Sequence, residues 1–515
     1  YNDSAKIRSL QAAPSGLLIT ESMTDSGRVR LLDANGAIVK QWRDAYYTRI
    51  PMAALESEGD YWIADSLHGL SKYSNQSFAH YAPNAPRAPA LGDCAIKAGL
   101  FWITAGAITS AGNSNGLYQY KDNSWTSYDA DNLPALDSLP AINSAAIDPV
   151  DGSLWAGSLG GGLLHLAADR TVKVYKQSSG IQPVPNSGQY NISSLSFDDR
   201  HNLWMANPGS GKPLLVKTKD GQWYSYPLPF PLNGAALGQL ICNNNDQVWI
   251  IAGGNQGLLC FSNAGSIANT GDDQWRIFRQ GKGKGNLPSD DVRCIALDKD
   301  HFIWVGTAAG IAVIPCTNQI FQPGSCEASI PVVQEGNINS YLFADQIVQT
   351  IAVDGANRKW VGTQKGAWLI SADGLQTIAH FNSANSPLPS DDIKHIAIDP
   401  QSGEVYFAST NGICSYRSTA TEGESQQAAL FVFPNPVPPG YTGTIAIRGL
   451  ASNSLVKITE LDGRLVYQTR ALGGQAVWNG KDPHGNRAAS GVYLILTRTE
   501  DGREKLAGKI VFIRQ

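Results

Sequence analysis

The sequence lacks several features that define large classes of proteins. It contains no uninterrupted apolar run of about 18 residues, so no membrane-spanning segment is predicted. Its first four residues provide neither the basic start nor the apolar stretch of a signal peptide, so we expect a mature, processed or partial chain. Only 16% of its 515 residues are charged, and a net charge of -4 is the opposite of what phosphate recognition needs. No nucleic-acid partner is expected.

Cysteine is also sparse, and its spacing is not that of a metal site. The seven cysteines include no CxxC pair, so the sequence predicts neither a zinc ribbon nor a thioredoxin-type site. Cys316 and Cys326 flank a stretch with Pro323 and Gly324, which is typical of a loop that a disulfide closes. The alternative is two buried thiols. The eight histidines show no ligand spacing, so we predict no metal and no cofactor.

Motifs that mark the common enzyme classes are missing as well. There is no HExxH, no Walker loop and no dinucleotide-binding fingerprint. Residues 112–116 fit the GxSxG pattern, but that motif acts as a nucleophile only at a strand-to-helix turn. This copy lies in a polar loop between two predicted strands. The sequence therefore predicts no catalytic residues and a protein that is not an enzyme.

What the sequence does contain is a repeat. An apolar strand ends in Asp, a short turn follows, and a second strand opens on an aromatic residue and closes on Gly. The clearest copies span residues 295–311, 351–366 and 396–413, a degenerate copy covers residues 16–20, and weaker copies centre on Trp62, Trp102, Trp155, Trp204 and Trp249. A spacing of roughly 40–56 residues is that of a four-stranded propeller blade. We expect each tryptophan to fill the wedge between neighbouring blades.

The number of copies predicts two β-propellers. The seven copies from Trp102 to Tyr406 would form a seven-bladed ring over residues 86–417. The two earlier copies, in residues 1–85, would be the last blades of a first, incomplete propeller, because two blades cannot close a ring. The alternative is a single nine-bladed ring.

The period changes after residue 417. Residues 418–430 begin with small polar side chains and no pattern, which is typical of a linker. Residues 431–515 carry short strands separated by turns such as Asp462-Gly463. The sequence therefore predicts an all-β protein that ends in a small Ig-like β-sandwich.

Four short motifs of this tail occur in the order found in one known family. They are Pro434-Asn435-Pro436, the turn at Gly463, the pair Gly491 and Tyr493, and a final strand at Lys509. On these motifs the tail resembles the C-terminal sorting domain of the type IX secretion system of Bacteroidetes. Residues 290–417 are similar to the two-component-regulator propeller repeat, and the whole chain resembles the PorZ family.

The resemblance implies a function that composition alone does not give. Members of the PorZ family are surface components of the type IX attachment machinery. The resemblance therefore implies an exported, non-enzymatic scaffold of the sortase complex on the outer face of the outer membrane. It also implies binding to the sortase and its outer-membrane partner proteins, and to lipopolysaccharide.

Two other features of the sequence leave alternatives open. The most basic short stretch carries Arg279, Lys282 and Lys284 between glycines. It is interpreted either as a flexible solvated connection or as a contact for an anionic glycan or partner protein. Paired aspartates at 290–291 and 391–392 are interpreted either as calcium ligands or, because they recur at one place in the repeat, as turn caps.

Two other functions are compatible with propeller repeats. One is the periplasmic sensor region of a hybrid two-component regulator, which should continue into a membrane helix and a kinase. The other is a secreted polysaccharide-degrading enzyme, since a sequence cannot reveal two carboxylates that face each other across a cleft.

Overall fold

The computed structural model describes residues 5–23, 26–66, 68–81, 83–86, 90–106, 116–232, 237–322, 326–335, 338–499, 502 and 504–513. Within these ranges every regular element is a β-strand except three short 3-10 helices, Pro134–Ser138, Gln177–Ser179 and Thr317–Gln319. None of the described helices is long or apolar enough to cross a lipid bilayer. The all-β class predicted from the sequence is therefore confirmed. The chain divides into two compact units, Tyr1–Arg87 and Ala88–Gln515.

The first unit contains two four-stranded antiparallel sheets. Its third strand alternates as a half-buried strand should, with Val29 and Leu31 buried between the sheets and Arg28 and Arg30 on the other face. There the buried carboxylate of Glu21 forms ion pairs with both arginines. The strands of the first sheet are Lys6–Ala13, Gly16–Ser22, Gly27–Leu32 and Ile38–Trp42, and those of the second are Pro51–Ser57, Asp60–Asp65, Gly69–Ser74 and Ser77–Tyr81.

The second unit begins with seven antiparallel sheets, here called blades 1 to 7. Blade 1 contains Cys94–Lys97, Leu100–Thr104, Leu117–Lys121 and Ser124–Tyr128; blade 2 contains Ile142–Ile147, Leu154–Gly160, Gly162–Leu166 and Val172–Tyr175, with Tyr190–Asn191 pairing beside Leu154–Gly160; blade 3 contains Ser194–Phe197, Leu203–Ala206, Leu214–Lys217 and Trp223–Tyr226. Blade 4 contains Leu237–Asn243, Gln247–Ala252, Leu258–Ser262 and Gln274–Phe278; blade 5 contains Val292–Leu297, Ile303–Thr307 and Gly310–Ile314, followed by a separate hairpin, Val332–Glu335 and Ile338–Tyr341. Blade 6 contains Val348–Val353, Lys359–Thr363, Gly366–Ile370 and Thr377–Phe381, and blade 7 contains Ile393–Ile398, Glu404–Ser409 and Gly412–Arg417.

The seven blades form a closed ring. The first strand of each blade contacts the first strand of the next, and Ile393–Ile398 of blade 7 contacts Cys94–Lys97 of blade 1. At this closure the rings of Phe101 and Tyr406 stack with centroids 4.5 Å apart. The seven-bladed propeller predicted from the sequence is confirmed, and the nine-bladed alternative is wrong.

The recurring tryptophans of the seven-bladed ring lie in the apolar clusters between neighbouring blades, as their spacing predicts. Trp304 of blade 5 is buried against Val348 and Val361 of blade 6. The Asp that precedes it by six residues has two partners, because Asp298 Oδ1 accepts the Phe302 amide (2.9 Å) while Oδ2 accepts the Trp304 indole N–H (2.8 Å). The same bond joins Asp198 Oδ2 to the Trp204 indole in blade 3 (2.9 Å). One carboxylate thus caps the turn and orients the wedge side chain.

A buried lysine joins blade 6 to the same aspartate. The Lys359 ammonium lies 2.9 Å from Asp298 Oδ2 and 4.3 Å from the Trp304 ring centroid, and it donates to the Ala372 carbonyl (2.6 Å). Burial lowers the pKa of Lys359, against the opposing effect of Asp298. Burial alone would raise the pKa of Asp298, but the Phe302 amide, Lys359 and the Trp304 indole together hold this pKa below its usual value. The Lys359–Asp298 pair is therefore a buried ion pair that links blade 6 to blade 5.

A two-layer sandwich follows the ring. Its core brings together Ile447 and Trp478 of one sheet and Ile458, Tyr493 and Phe512 of the other. One sheet contains Phe431–Phe433, Ile445–Arg448 and Gln475–Trp478, and the other contains Leu455–Thr459, Leu465–Arg470, Gly491–Arg498 and Lys505–Phe512. The C-terminal β-sandwich is therefore present, and its Ig-like character stays a prediction.

The start of the predicted linker is a fixed connection. Residues 418–422, here called the junction, are hydrogen-bonded on both sides. Towards blade 7, the Ser418 amide donates to Gly403 O (2.8 Å) and the Glu422 amide donates to Pro400 O (2.6 Å). Towards the sandwich, Thr421 O accepts the Gly474 amide (3.0 Å). Because these bonds are made by the backbone, the polar composition that indicates a linker does not make this segment mobile.

Blade 6 packs closely against the junction at Gly355. A Cβ atom at this position would lie 1.8 Å from the Thr421 carbonyl oxygen, so only glycine fits. Beside it, the Arg358 guanidinium forms an ion pair with Asp354 (2.7 Å) and donates to the Ser418 hydroxyl (3.1 Å). The sandwich is thereby held to the ring through close backbone packing.

Candidate interaction sites

The Pro434-Asn435-Pro436 motif joins the two sheets of the sandwich. Both peptide bonds to these prolines are cis. The Asn435 side chain accepts the Val511 amide at Oδ1 (2.9 Å) and donates to the Lys509 carbonyl through Nδ2 (3.1 Å). A side-chain amide therefore pairs with the edge of the last strand as a backbone peptide would.

Replacing Asn435 with alanine should destabilise this edge by about 1–2 kcal/mol, because two hydrogen bonds to the last strand are lost. The measurement is hydrogen exchange at the Val511 and Ile513 amides in the full chain. Asn435→Asp keeps an acceptor for Val511 but has no donor for Lys509 O, so it should restore less than half of the lost protection. Unchanged exchange in Asn435→Ala would show that the motif has no role in holding this edge.

The other motif residues serve separate parts of the sandwich. Gly463 has a φ of 88° in the turn between two strands, where a side chain would be strained. Tyr493 is buried, its hydroxyl donates to Ala489 O (2.9 Å), and burial raises its pKa. Gly491 opens the strand that pairs with the strand of Lys509. These residues do not converge on one pocket, and their common effect is to hold the sandwich together.

The basic stretch is an ordered turn at the end of blade 4. Arg279, Lys282 and Lys284 are exposed. The Arg279 amide donates to Lys284 O (2.7 Å), and the Leu287 amide donates to Arg279 O (3.0 Å). Backbone hydrogen bonds therefore close the two ends of this stretch, and its contact with an anionic glycan or a partner protein stays a prediction. Residues 279–285 are called the basic turn below.

A disulfide loop lies against the strand that leads into the basic turn. Cys316 and Cys326 form a disulfide that closes this loop. The Arg276 guanidinium donates to the carbonyl oxygens of Ile320 and Cys326, and burial lowers the pKa of Arg276. The loop is thereby fixed to blade 4 at two points.

Glu327 is a residue that sequence reasoning missed. Its carboxylate accepts the backbone N–H of Gly283, at the centre of the basic turn. The two residues are 44 positions apart, and no pattern in the sequence relates them. The available signal is indirect, since Glu327 follows Cys326 and the disulfide determines where it lies.

The paired aspartates are turn caps. Asp290 Oδ1 accepts the Gln280 amide (2.6 Å), and Asp391 Oδ1 accepts the Ser383 amide (2.6 Å) at the equivalent place two blades further on. Among the described residues, no three acidic, histidine or cysteine side chains are grouped to hold a metal ion. The GxSxG pattern of residues 112–116 falls outside the described residues except for Gly116.

Comparison with known proteins supports the same architecture. A family model described as a two component regulator propeller matches residues 286–309. No curated protein matches the sequence. Among solved structures, PorZ of Porphyromonas gingivalis is similar over 99% of this chain and 70% of its own, with 24% identity and a TM-score of 0.71. This chain has the PorZ fold. The resemblance to PorZ predicted from the sequence is confirmed for the fold.

Two further solved propellers match this chain with low TM-scores. Virginiamycin B lyase of Staphylococcus aureus is 15% identical over 71% of this chain and 93% of its own, with a TM-score of 0.37. The WD40 propeller domain of Doa1 is 12% identical over 64% of this chain and 92% of its own, with a TM-score of 0.40. PorZ of Porphyromonas gingivalis is described as an essential bacterial surface component of the type-IX secretion system.

Proposed function

We propose that this chain is a surface component of a type IX secretion system and acts by binding, without covalent chemistry. The observation that carries the proposal is the PorZ fold over 99% of the chain. A closed propeller supports such a role, because its turns present several surfaces on a rigid disc. In this proposal the protein is exported to the outer face of the outer membrane and serves as a scaffold of the attachment complex.

The proposed partners are the sortase and the outer-membrane proteins of that complex. The sandwich carries the motifs by which the tail resembles a sorting domain, so we assign it the contact with the secretion machinery. The test is affinity capture from outer-membrane extract with the full chain as bait. Sortase-complex proteins should be recovered, and their absence from repeated captures would contradict the proposal.

We propose that residues 1–85 are the last blades of a further propeller of the same protein. The two sheets of this unit pack on each other through Leu18, Trp42 and Ile63. Leu55 and Tyr81 are exposed on the second sheet. Blades of a closed ring cover such side chains with a neighbour. The proposed division of the chain is therefore the blades of this further propeller (residues 1–85), the seven-bladed ring (86–417), the linker (418–430) and the sandwich (431–515).

The proposed ligand of the basic turn is an anionic glycan such as lipopolysaccharide. Lys282 and Lys284 are exposed and project from an ordered turn, so little backbone entropy is lost when an anion binds them. Replacing both lysines with alanine should weaken binding to purified lipopolysaccharide by about tenfold at low salt, since two charge contacts are lost. Surface plasmon resonance measures this. Equal affinity of the variant and the wild type for lipopolysaccharide would show that the basic turn does not contact this glycan.

A further inference from the structure

The basic turn has the chemistry of a small anion site. The backbone N–H of Gly283 lies between Lys282 and Lys284, so a hydrogen-bond donor is flanked by two cations. Gly281 and Gly283 have φ values of 90° and 79°, and a Cβ at either position would meet no other atom within 4 Å. The backbone is therefore open to an approaching ligand. Donor N–H groups beside cationic side chains bind carboxylate, phosphate and sulfate groups.

An internal carboxylate already occupies this donor. Glu327 accepts the Gly283 N–H, and the residues on each side of Glu327 are fixed. On one side, Cys326 is held by its disulfide and by Arg276. On the other side, the Ala328 amide donates to Gly285 O (3.0 Å). Because Cys326 and Ala328 are both fixed, the Glu327 side chain lies at the centre of the basic turn.

The two lysines are left available by this arrangement. In the part of the chain that the structure describes, neither Lys282 nor Lys284 forms a salt bridge with Glu327 or with any other carboxylate. An external anion can therefore approach both ammonium groups, but it meets the negative charge of Glu327 at the donor between them. Like charges a few ångströms apart repel even at the protein surface.

We propose that Glu327 is an internal competitor that weakens the binding of anionic glycans to the basic turn. This inference rests on the proposed role of the basic turn as a glycan contact, and it adds a residue that limits the affinity of that contact. The ligand class is a glycan that carries carboxylate, phosphate or sulfate groups. Binding requires the glycan anion either to displace the Glu327 carboxylate from the Gly283 N–H or to bind beside it.

The test measures binding of a fluorescein-labelled heparin oligosaccharide to the full chain by anisotropy at low salt. Glu327→Gln removes the charge and keeps an oxygen for the Gly283 N–H, so the turn should stay folded. It should bind the probe about fourfold more tightly than the wild type, which is the effect of one charge about 5 Å away in water. The matched control is Asp122→Asn, which removes one exposed charge from a turn of blade 1 and should leave the affinity unchanged.

The combined variant separates this inference from the proposed glycan contact. In a Lys282→Ala/Lys284→Ala background, Glu327→Gln should give no gain in affinity. If Glu327→Gln binds as the wild type does while the double alanine variant binds weakly, the glycan contact stands and the internal competitor is refuted. If neither the wild type nor Glu327→Gln binds the probe, both proposals fail. If Asp122→Asn gained as much affinity for the probe as Glu327→Gln, the gain would come from the net charge of the protein, and the role of Glu327 as an internal competitor would also be refuted.

Discussion

Replacing Lys359 with methionine should lower the free energy of unfolding of the propeller by about 3–5 kcal/mol. The substitution keeps the buried aliphatic stem but removes the ammonium that lies 2.9 Å from Asp298. The Lys359 side chain is 0% exposed and that of Asp298 is 1% exposed, so the carboxylate would remain buried without its cation. The measurement is the midpoint of urea-induced unfolding of the full chain.

An exposed ion pair of blade 6 provides the control for this prediction. Lys365 lies 2.8 Å from Asp345, and the two side chains are 58% and 73% exposed. Water already solvates both charges, so Lys365→Met should change the free energy of unfolding by less than about 1 kcal/mol. Similar effects of the two substitutions would contradict the importance that we give to burial of the Lys359–Asp298 pair.

Gly355→Ala should loosen the sandwich from the propeller and cost about 2–3 kcal/mol. The new Cβ would overlap the Thr421 carbonyl oxygen, and the backbone of the junction would have to move away from blade 6. Because Thr421 O also accepts the Gly474 amide, this movement disturbs the sandwich side of the junction as well. Limited proteolysis should then cleave the chain within residues 418–430 at a protease concentration that leaves the wild type intact.

Gly211→Ala is the matched control for the junction. The atom nearest to a Cβ at Gly211 is a side-chain atom of Gln182 at 4.0 Å, and neither glycine requires a positive φ. Both substitutions replace glycine with alanine and therefore lower the conformational entropy of the unfolded chain equally. A difference in protease resistance between the two variants thus reports the contact of residue 355 with Thr421. Resistance of Gly355→Ala to cleavage within residues 418–430 would show that the junction tolerates displacement.

The ring could be predicted from the sequence because its determinants are local. Asp298 and Trp304 are six residues apart and interact directly, as Asp198 and Trp204 do, so these blades carry a turn cap and a wedge side chain within one short stretch. The alternation of apolar residues then gives the strands, and counting the copies gives seven blades. Cys316 and Cys326 are likewise close enough in sequence for their loop to be recognised.

The junction and the internal carboxylate could not be predicted, because they depend on distant backbone approaches. Gly355 meets Thr421 only where blade 6 packs against the junction, and the small polar residues at the start of 418–430 carry no signal that their peptide groups are hydrogen-bonded to blade 7 and the sandwich. Glu327 reaches Gly283 across 44 positions. Lys359 has no local signal either, since its partner Asp298 lies in the preceding blade.

The fixed junction also determines how the two proposed binding surfaces, the basic turn of the ring and the sandwich, would act together. A mobile tether would let the sandwich search a volume for its own target after the ring had bound, and the gain would depend on tether length. A rigid connection gives a single distance between the two binding surfaces. Targets spaced to match that distance are held bivalently at no cost in tether entropy, and targets spaced otherwise gain nothing from the second contact.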